Sequence, residues 1–365
     1  MTSGIRLSTA IMTHPARQDR ARALAEAVAG LNPVIVVDQG GGTGNLGAAL
    51  RAWAAVGQDA THHLVLQDDV TPCGRFAARV HDAVSAQPSA AISLFCEWGS
   101  RTAGLVRVAA RRGWAWARAV DMYTPSQGLV LPRQAALDFA ALEDVGGADD
   151  QALVQYLRRR QITNLVTVPH LVEHDDHVSL TGNGYQGLRH AVCLPEGDEA
   201  TDFATPVAGE GLTRVPYASW MRTHAEWFYC GARADLYTWL GDFADTRLPE
   251  GLRKADLTGL FLADLGEATS PALSTAVSEL ALFEYWTVHF ALGLTEAEPL
   301  PERPGRHAEA AFGTAFPGLF RRHLPAATTD AVRGDAGRLA LAAFHRGAAA
   351  TLPRPYPDWS QEPVA

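Results

Sequence analysis

Short apolar or β-branched runs alternate with amphipathic segments from Arg6 to Val168, and this alternation restricts the fold more than any other feature of the chain. Arg6–Met12, Val34–Val37, His62–Asp69, Ala91–Cys96, Gln127–Leu131 and Leu165–Val168 have the length and composition of strands. Between them, Gln18–Val28, Ala48–Val56, Arg75–Ser85, Arg133–Leu142 and Asp149–Arg160 carry apolar residues at helical spacing. Pro132 suits a helix start, and Asp149 or Asp150 can cap the last of these helices. Parallel neighbours in a sheet need a crossover, most often a helix. The pattern therefore predicts an α/β fold, a mostly parallel sheet flanked by helices.

The composition changes after Pro195. Residues Glu196–Pro216 are rich in Gly, Pro, Thr and acids and read as a linker or long loop. From Tyr217 on the period is mostly helical. Trp220, His224, Trp227, Phe228 and Leu236 fit one apolar face, and Leu273, Val277, Leu280, Ala281 and residues 284–290 suggest one long buried helix. Arg333–Ala350 reads as another. The expected organisation is an α/β domain over 1–195, a linker over 196–216 and an all-helical domain over 217–365, the last offering a surface for a homodimer.

With 365 residues, 47% of them hydrophobic, the chain can bury a substantial core. Its net charge of -9, with Lys254 the only lysine, argues against nucleic acid as a partner. Arg158–Arg160 is the one short basic run and reads as a solvated helix end. Cys73, Cys96, Cys193 and Cys230 are far apart and form no Cys-x-x-Cys pair, so neither a zinc ribbon nor a dithiol centre is indicated. The start of the chain lacks the pattern of a signal peptide. Leu280–Leu294 is interrupted by Glu284 and His289 and is too short to span a bilayer. The expectation is a cytoplasmic protein with no membrane span.

The run His62–Val70 carries the chemistry. An apolar strand ends in Asp68 and Asp69, with Pro72 close behind. Two carboxylates at a strand end need a partner or solvent, and the cheapest shared partner is a divalent cation with its preference for oxygen ligands. The alternative is a strand that stops at a solvated Asp-Asp turn. Upstream, Gly42-Thr43-Gly44-Asn45-Leu46-Gly47 matches Gly-x-Gly-x-x-Gly. It follows the second strand rather than the first, and no lone acid stands about 20 residues on, so a strand-to-helix loop is the better reading than a dinucleotide fingerprint.

The order of these features resembles glycosyltransferases of the GT-A fold. Ile11–Arg17, Val36-Val37-Asp38, Gly47–Trp53 and Leu66–Val70 resemble the nucleotide-sugar half, and Gly128–Pro132, Ala148-Asp149-Asp150 and Val168–His174 the acceptor half. The resemblance covers about residues 5–190. It implies that Asp69 ligates a manganese or magnesium ion, that Asp68 contacts the ribose or a metal-bound water, and that His174 completes the metal shell. It implies further that Thr13 and Arg17 lie beside the base or diphosphate and that Asp38 reads the base or ribose. By spacing alone, Asp38 is equally a turn residue before Gly40, Arg17 a solvated helix residue, and His174 part of the histidine-rich stretch His170–His177.

Of the two acids at Asp149 and Asp150, one suffices as helix cap, and the resemblance implies that the other is the general base toward the acceptor, with Asp150 preferred as base and Asp149 as cap. A polar loop with Ser179, Thr181 and Asn183 would close over the diphosphate. Trp98, Trp114, Trp116 and Tyr123 are ordinary core residues by default, one of them available to line an acceptor cleft. The implied activity is metal-dependent transfer of a sugar from a nucleotide-sugar donor, UDP-sugar favoured, to a hydroxyl or amine acceptor. The rivals are a nucleotidyltransferase, for which Arg17 with Arg20 is only a weak basic triphosphate loop and the loop at Gly40 has no lysine or arginine before Arg51, and a non-catalytic binding protein of the same fold.

Overall fold

The computed structural model describes residues 4–39, 44–143, 146–177, 182–229, 239–242, 254–268, 271–296 and 298–350. In chain order the elements begin β1 (Leu7–Thr13), α1 (Gln18–Ala27), β2 (Val34–Val37), α2 (Gly44–Ala54), β3 (His62–Gln67), β4 (Val70–Pro72) and α3 (Phe76–Ala86). They continue β5 (Ala91–Ser93), α4 (Thr102–Arg112), β6 (Trp116–Arg118), β7 (Gly128–Pro132), α5 (Arg133–Ala140), α6 (Asp149–Arg159), β8 (Asn164–Thr167), β9 (Val172–His174) and β10 (Val207–Ala208). The remainder is β11 (Arg214–Ser219), β12 (His224–Tyr229), β13 (Trp239–Asp242), α7 (Lys254–Ala268), α8 (Pro271–Ala276), α9 (Glu279–Leu294), α10 (Ala308–Gly313), α11 (Ala315–Phe320) and α12 (Ala326–Ala349).

The chain forms two compact units that do not divide at one point of the sequence. The first comprises Met1–Glu97, Trp114–Val178 and Cys193–Val207, the second Trp98–Gly113, Ser179–Val192 and Ala208–Ala365. The first unit is built on an eight-stranded sheet of order β10-β6-β8-β5-β7-β3-β1-β2. β1 runs parallel to both β2 and β3, and β5 parallel to β8, while β7 and β6 run the other way. The mostly parallel α/β expectation is therefore met. Helices α2, α5 and α6 cover one region of the sheet, where Trp53, Leu129, Leu131, Phe139, Leu153 and Tyr156 bury their side chains together. From β1 the chain steps to β2 on one side and then crosses to β3 on the other, so the carboxyl ends of β1 and β3 flank a topological switch point. Open α/β sheets place their ligands in this crevice.

Segment 196–207 is not a free linker. Arg75 and Arg79 of α3 donate to the Asp198 and Gly197 carbonyls at 2.8 and 3.0 Å, and the Trp116 indole donates to the Phe203 carbonyl at 3.0 Å. These bonds hold it on the first unit. Trp116 is thereby a core residue, fully buried.

The second unit is not all helical. β11, β12 and β13 form an antiparallel sheet, with Ser219 opposite His224 across the turn at 220–223. The helical face expected at Trp220, His224, Trp227 and Phe228 is replaced by strand pairing, with Val215 opposite Phe228 and Tyr217 opposite Glu226. Arg101 stacks its guanidinium on the rings of Phe228 and Tyr217. Leu236 lies outside the described residues. The single long helix expected from Leu273 is two helices, broken where the Ser278 hydroxyl caps α9 by accepting from the Ala281 amide. α9 and α12 cross so closely that a Cβ at Gly293 would run into the Phe344 carbonyl and one at Gly347 into that of Phe290. α4 and β6 are not among the elements expected from the sequence. No helix among the described residues is long and apolar enough to cross a membrane.

Candidate functional site

The polar site lies in the first unit, at the switch point. Thr13 ends β1, and a 3-10 turn over Pro15–Arg17 brings Arg17 back over the strand ends. Asp68 follows the last residue of β3 and is held on three sides. The Thr13 hydroxyl donates to its Oδ2 at 2.5 Å, the His14 backbone N–H to the same oxygen at 3.2 Å, and Arg17 Nη1 to Oδ1 at 3.3 Å. The hydroxyl of buried Thr13 thus positions Asp68.

Asp69 is engaged differently. Its Oδ2 accepts from the same Arg17 Nη1 at 3.2 Å and stands 3.7 Å from Nε2 of His174. Its Oδ1 is buried and has no hydrogen-bond partner. Two short strands explain how a residue more than a hundred positions away arrives here. β4 leaves Asp69 and pairs antiparallel with β9, with Val70 opposite His174, and the Asp175 amide donates to the Asp69 carbonyl at 2.8 Å. The structure therefore brings together Thr13, Arg17, Asp68, Asp69 and His174.

Asp38, at the tip of β2, donates its backbone amide to the Thr13 carbonyl, and its carboxylate pairs with Arg51 of α2 at 3.1 Å. It is near the first strand but bound to an arginine of its own.

The second pair of acids is sorted by the start of α6. The cap position falls on Ala148, whose methyl group cannot cap. Asp150 accepts from the Gln151 amide at 2.7 Å, serving a free N–H of the first turn. Asp149 points into the protein. Its Oδ1 accepts from the Asn45 side-chain amide at 2.6 Å, and its Oδ2 from the Ser126 hydroxyl at 3.5 Å, while Gln67 donates to Ser126 at 3.1 Å. Burial, and next the charge of Asp150, push the Asp149 carboxyl up to about 6. Neither acid holds the cap position: Asp150 serves the Gln151 amide of the first turn, and Asp149 is the buried acid of the two. Asn45, Ser126 and Gln67 were missed. Asn45 stood in the glycine-rich loop read as a mere connection, of which residues 40–43 lie outside the described ones.

The histidines of 170–177 do not converge. His170 is buried, and its Nδ1 bonds to the Thr167 carbonyl at 2.8 Å. His177 Nδ1 meets Arg20 Nη2 at 2.8 Å. Among the described residues no three His, Cys, Asp or Glu side chains gather as ligands of one ion. Ser179 and Thr181 lie outside the described residues; Asn183 opens a 3-10 turn of the second unit. Trp98 belongs to that unit also, its indole donating to the Leu188 carbonyl.

A divalent ion would find two protein ligands, Asp69, whose Oδ1 has no partner while Oδ2 accepts from Arg17, and His174. Such a set fits magnesium or manganese where substrate phosphates and waters supply the remaining oxygens. It does not fit a structural zinc site, which is closed by four protein ligands. No protein-family model matches this chain, and no curated protein matches it.

Proposed function

We propose that the first unit is a glycosyltransferase domain of the GT-A type, moving a sugar from a nucleoside diphosphate donor to a hydroxyl or amine acceptor. One observation carries the reading: the switch-point crevice holds an Asp69 oxygen in need of a cation, with His174 and Arg17 beside it, and the Gln67–Ser126 hydrogen bonds link that strand end to a buried acid whose carboxyl titrates near neutrality. Arg17 is placed to receive a diphosphate, which it can grip with two parallel donors. Asp69 and His174 would hold a manganese or magnesium ion, which supplies Lewis-acid stabilisation of the departing diphosphate.

Asp149 acts as general base. Its carboxylate takes the proton of the acceptor hydroxyl as that oxygen bonds to the anomeric carbon, and the bond from that carbon to the diphosphate breaks with its electron pair leaving on the nucleotide. A pKa near the working pH serves a base best. A single displacement of this kind inverts the anomeric centre.

The test is calorimetric binding of UDP and GDP, with and without Mn2+, to the wild type and Asp69→Ala. Nucleotide binding that needs the metal and is lost in the variant supports the reading; no binding of either nucleotide under any condition defeats it. With a donor in hand, release of nucleoside diphosphate rather than pyrophosphate separates this activity from nucleotidyl transfer.

A further inference from the structure

Of the two Asp69 oxygens, Oδ1 is without a partner, whereas Oδ2, the one beside His174, is already held by Arg17. Oδ2 of Asp69 is the carboxylate atom recorded 3.7 Å from His174 Nε2, and Arg17 Nη1 donates to it at 3.2 Å while also reaching Asp68 Oδ1 at 3.3 Å. We infer that Arg17 is a built-in competitor for the divalent cation, displaced when a nucleoside diphosphate binds, so that nucleotide and metal load the site together. This inference rests on the donor-site reading above.

Charge and anchoring support it. Asp68 and Asp69 carry two negative charges, and Arg17 cancels one. A divalent ion added beside the guanidinium would leave the cluster with a net positive charge and two cations at close range, which repel. Asp68 is tied down by Thr13 and His14, so it does not follow Arg17 away. Arg17 sits in a 3-10 turn, carries its charge on a flexible stem and keeps 15% of its side-chain surface in solvent. A diphosphate offers it a stronger bidentate anion. Once Arg17 has transferred, Oδ2 is open to the ion, and the ion in turn meets the diphosphate. Coupling of this kind is reciprocal, with each ligand tightening the other by the same factor.

The experiment is a Mn2+ titration of the full chain, read from the free-ion electron paramagnetic resonance signal, with and without UDP or GDP. Wild type, Arg17→Gln and Asp69→Asn are compared. In wild type, Mn2+ should bind at least about tenfold more tightly with nucleotide present. Arg17→Gln should bind Mn2+ without nucleotide at least about tenfold more tightly than wild type and show little further gain from nucleotide. Equal Mn2+ affinity of wild type and Arg17→Gln in the absence of nucleotide overturns the inference while leaving the donor site standing, provided Asp69→Asn abolishes binding. Mn2+ binding that survives Asp69→Asn, or no Mn2+ binding even with nucleotide, overturns the donor-site reading as well. Should Arg17→Gln not fold, Arg17→Met replaces it in the metal-only titration, where an affinity equal to that of wild type overturns the inference; a wild-type affinity unchanged by nucleotide overturns it as well.

Discussion

The side-chain amide of Asn45 donates to Oδ1 of Asp149 over 2.6 Å, joining the first turn of α2 to the first turn of α6. Ser126 reaches the other carboxylate oxygen, so the group is held from both sides. A buried carboxylate without such donors would lose both its orientation and its charge.

Asn45→Ala removes the shorter of the two donors. The expected result is a fall in kcat of about tenfold, the worth of one hydrogen bond to a charged group. KM for the donor should change little, because Asn45 touches none of Thr13, Arg17, Asp68 or Asp69. The acid limb of the pH profile should move to higher pH, since the remaining carboxylate is less stabilised. Steady-state kinetics across pH, with Asn45→Gln as the conservative control, checks this.

Asp149 makes activity and stability depend on pH in opposite senses. As a base it must be ionised, so kcat/KM should fall about tenfold per pH unit below about 6. Asp150→Asn removes a neighbouring negative charge and should shift that limb to lower pH. The folded carboxyl titrates above its unfolded value. The protein therefore loses stability as pH rises from about 4 through about 6, and at pH 7 the buried charge costs about 3 kcal/mol. Asp149→Asn should be more stable than wild type at pH 7.5 and lose activity by a factor of 10² or more. Denaturant midpoints at pH 4 and 7.5 measure the first, turnover the second.

Much of the first unit was legible in the sequence because strands buried on both faces carry apolar runs, as Leu64–Leu66 within β3 and Leu129–Leu131 within β7 do. The Asp68-Asp69 pair was legible for a related reason, since carboxylates at the end of such a run have few places to go. His174 could be matched only by resemblance: its position beside Asp69 depends on the pairing of β4 with β9, two three-residue strands with no periodicity to read. Asn45 was illegible because a hydrogen bond across 104 positions leaves no local pattern. The β11–β12 hairpin was misread as helix because aromatic residues spaced at 220, 224, 227 and 228 fit an apolar helical face and, in part, an alternating strand. Tertiary packing decided between them.

Asp68 and Asp69 should separate structure from binding. Asp68 receives three donors in a buried position, so Asp68→Asn is expected to cost about 2–3 kcal/mol of stability. Asp69 leaves Oδ1 without a partner, and Asp69→Asn should alter stability by less than about 1 kcal/mol while removing metal-dependent nucleotide binding. Urea unfolding and nucleotide calorimetry on both variants are the measurements. A large stability loss at Asp69 with nucleotide binding intact would exchange the two roles.

The second unit has its own buried carboxylate. Asp264 on α7 accepts from the Trp286 indole of α9 at 2.8 Å and from Arg346 of α12, whose Nε lies 2.9 Å from Oδ2. One acid thus pins three helices, and that bond raises the Arg346 guanidinium above its ordinary value. Asp264→Ala leaves the buried indole N–H unserved and the arginine without its partner. Because Arg346 keeps about a third of its surface in solvent, its charge can relax outward, and the loss belongs at about 2–3 kcal/mol rather than at the 3–5 kcal/mol of a fully buried pair. Asp264→Asn retains an acceptor for one of the two donors and should lose about half as much. Thermal unfolding of the two variants at low and at 0.5 M salt tests the assignment: an ion pair this enclosed should lose little to screening, so a stability difference that vanishes in salt would mean that Asp264 acts only through long-range charge.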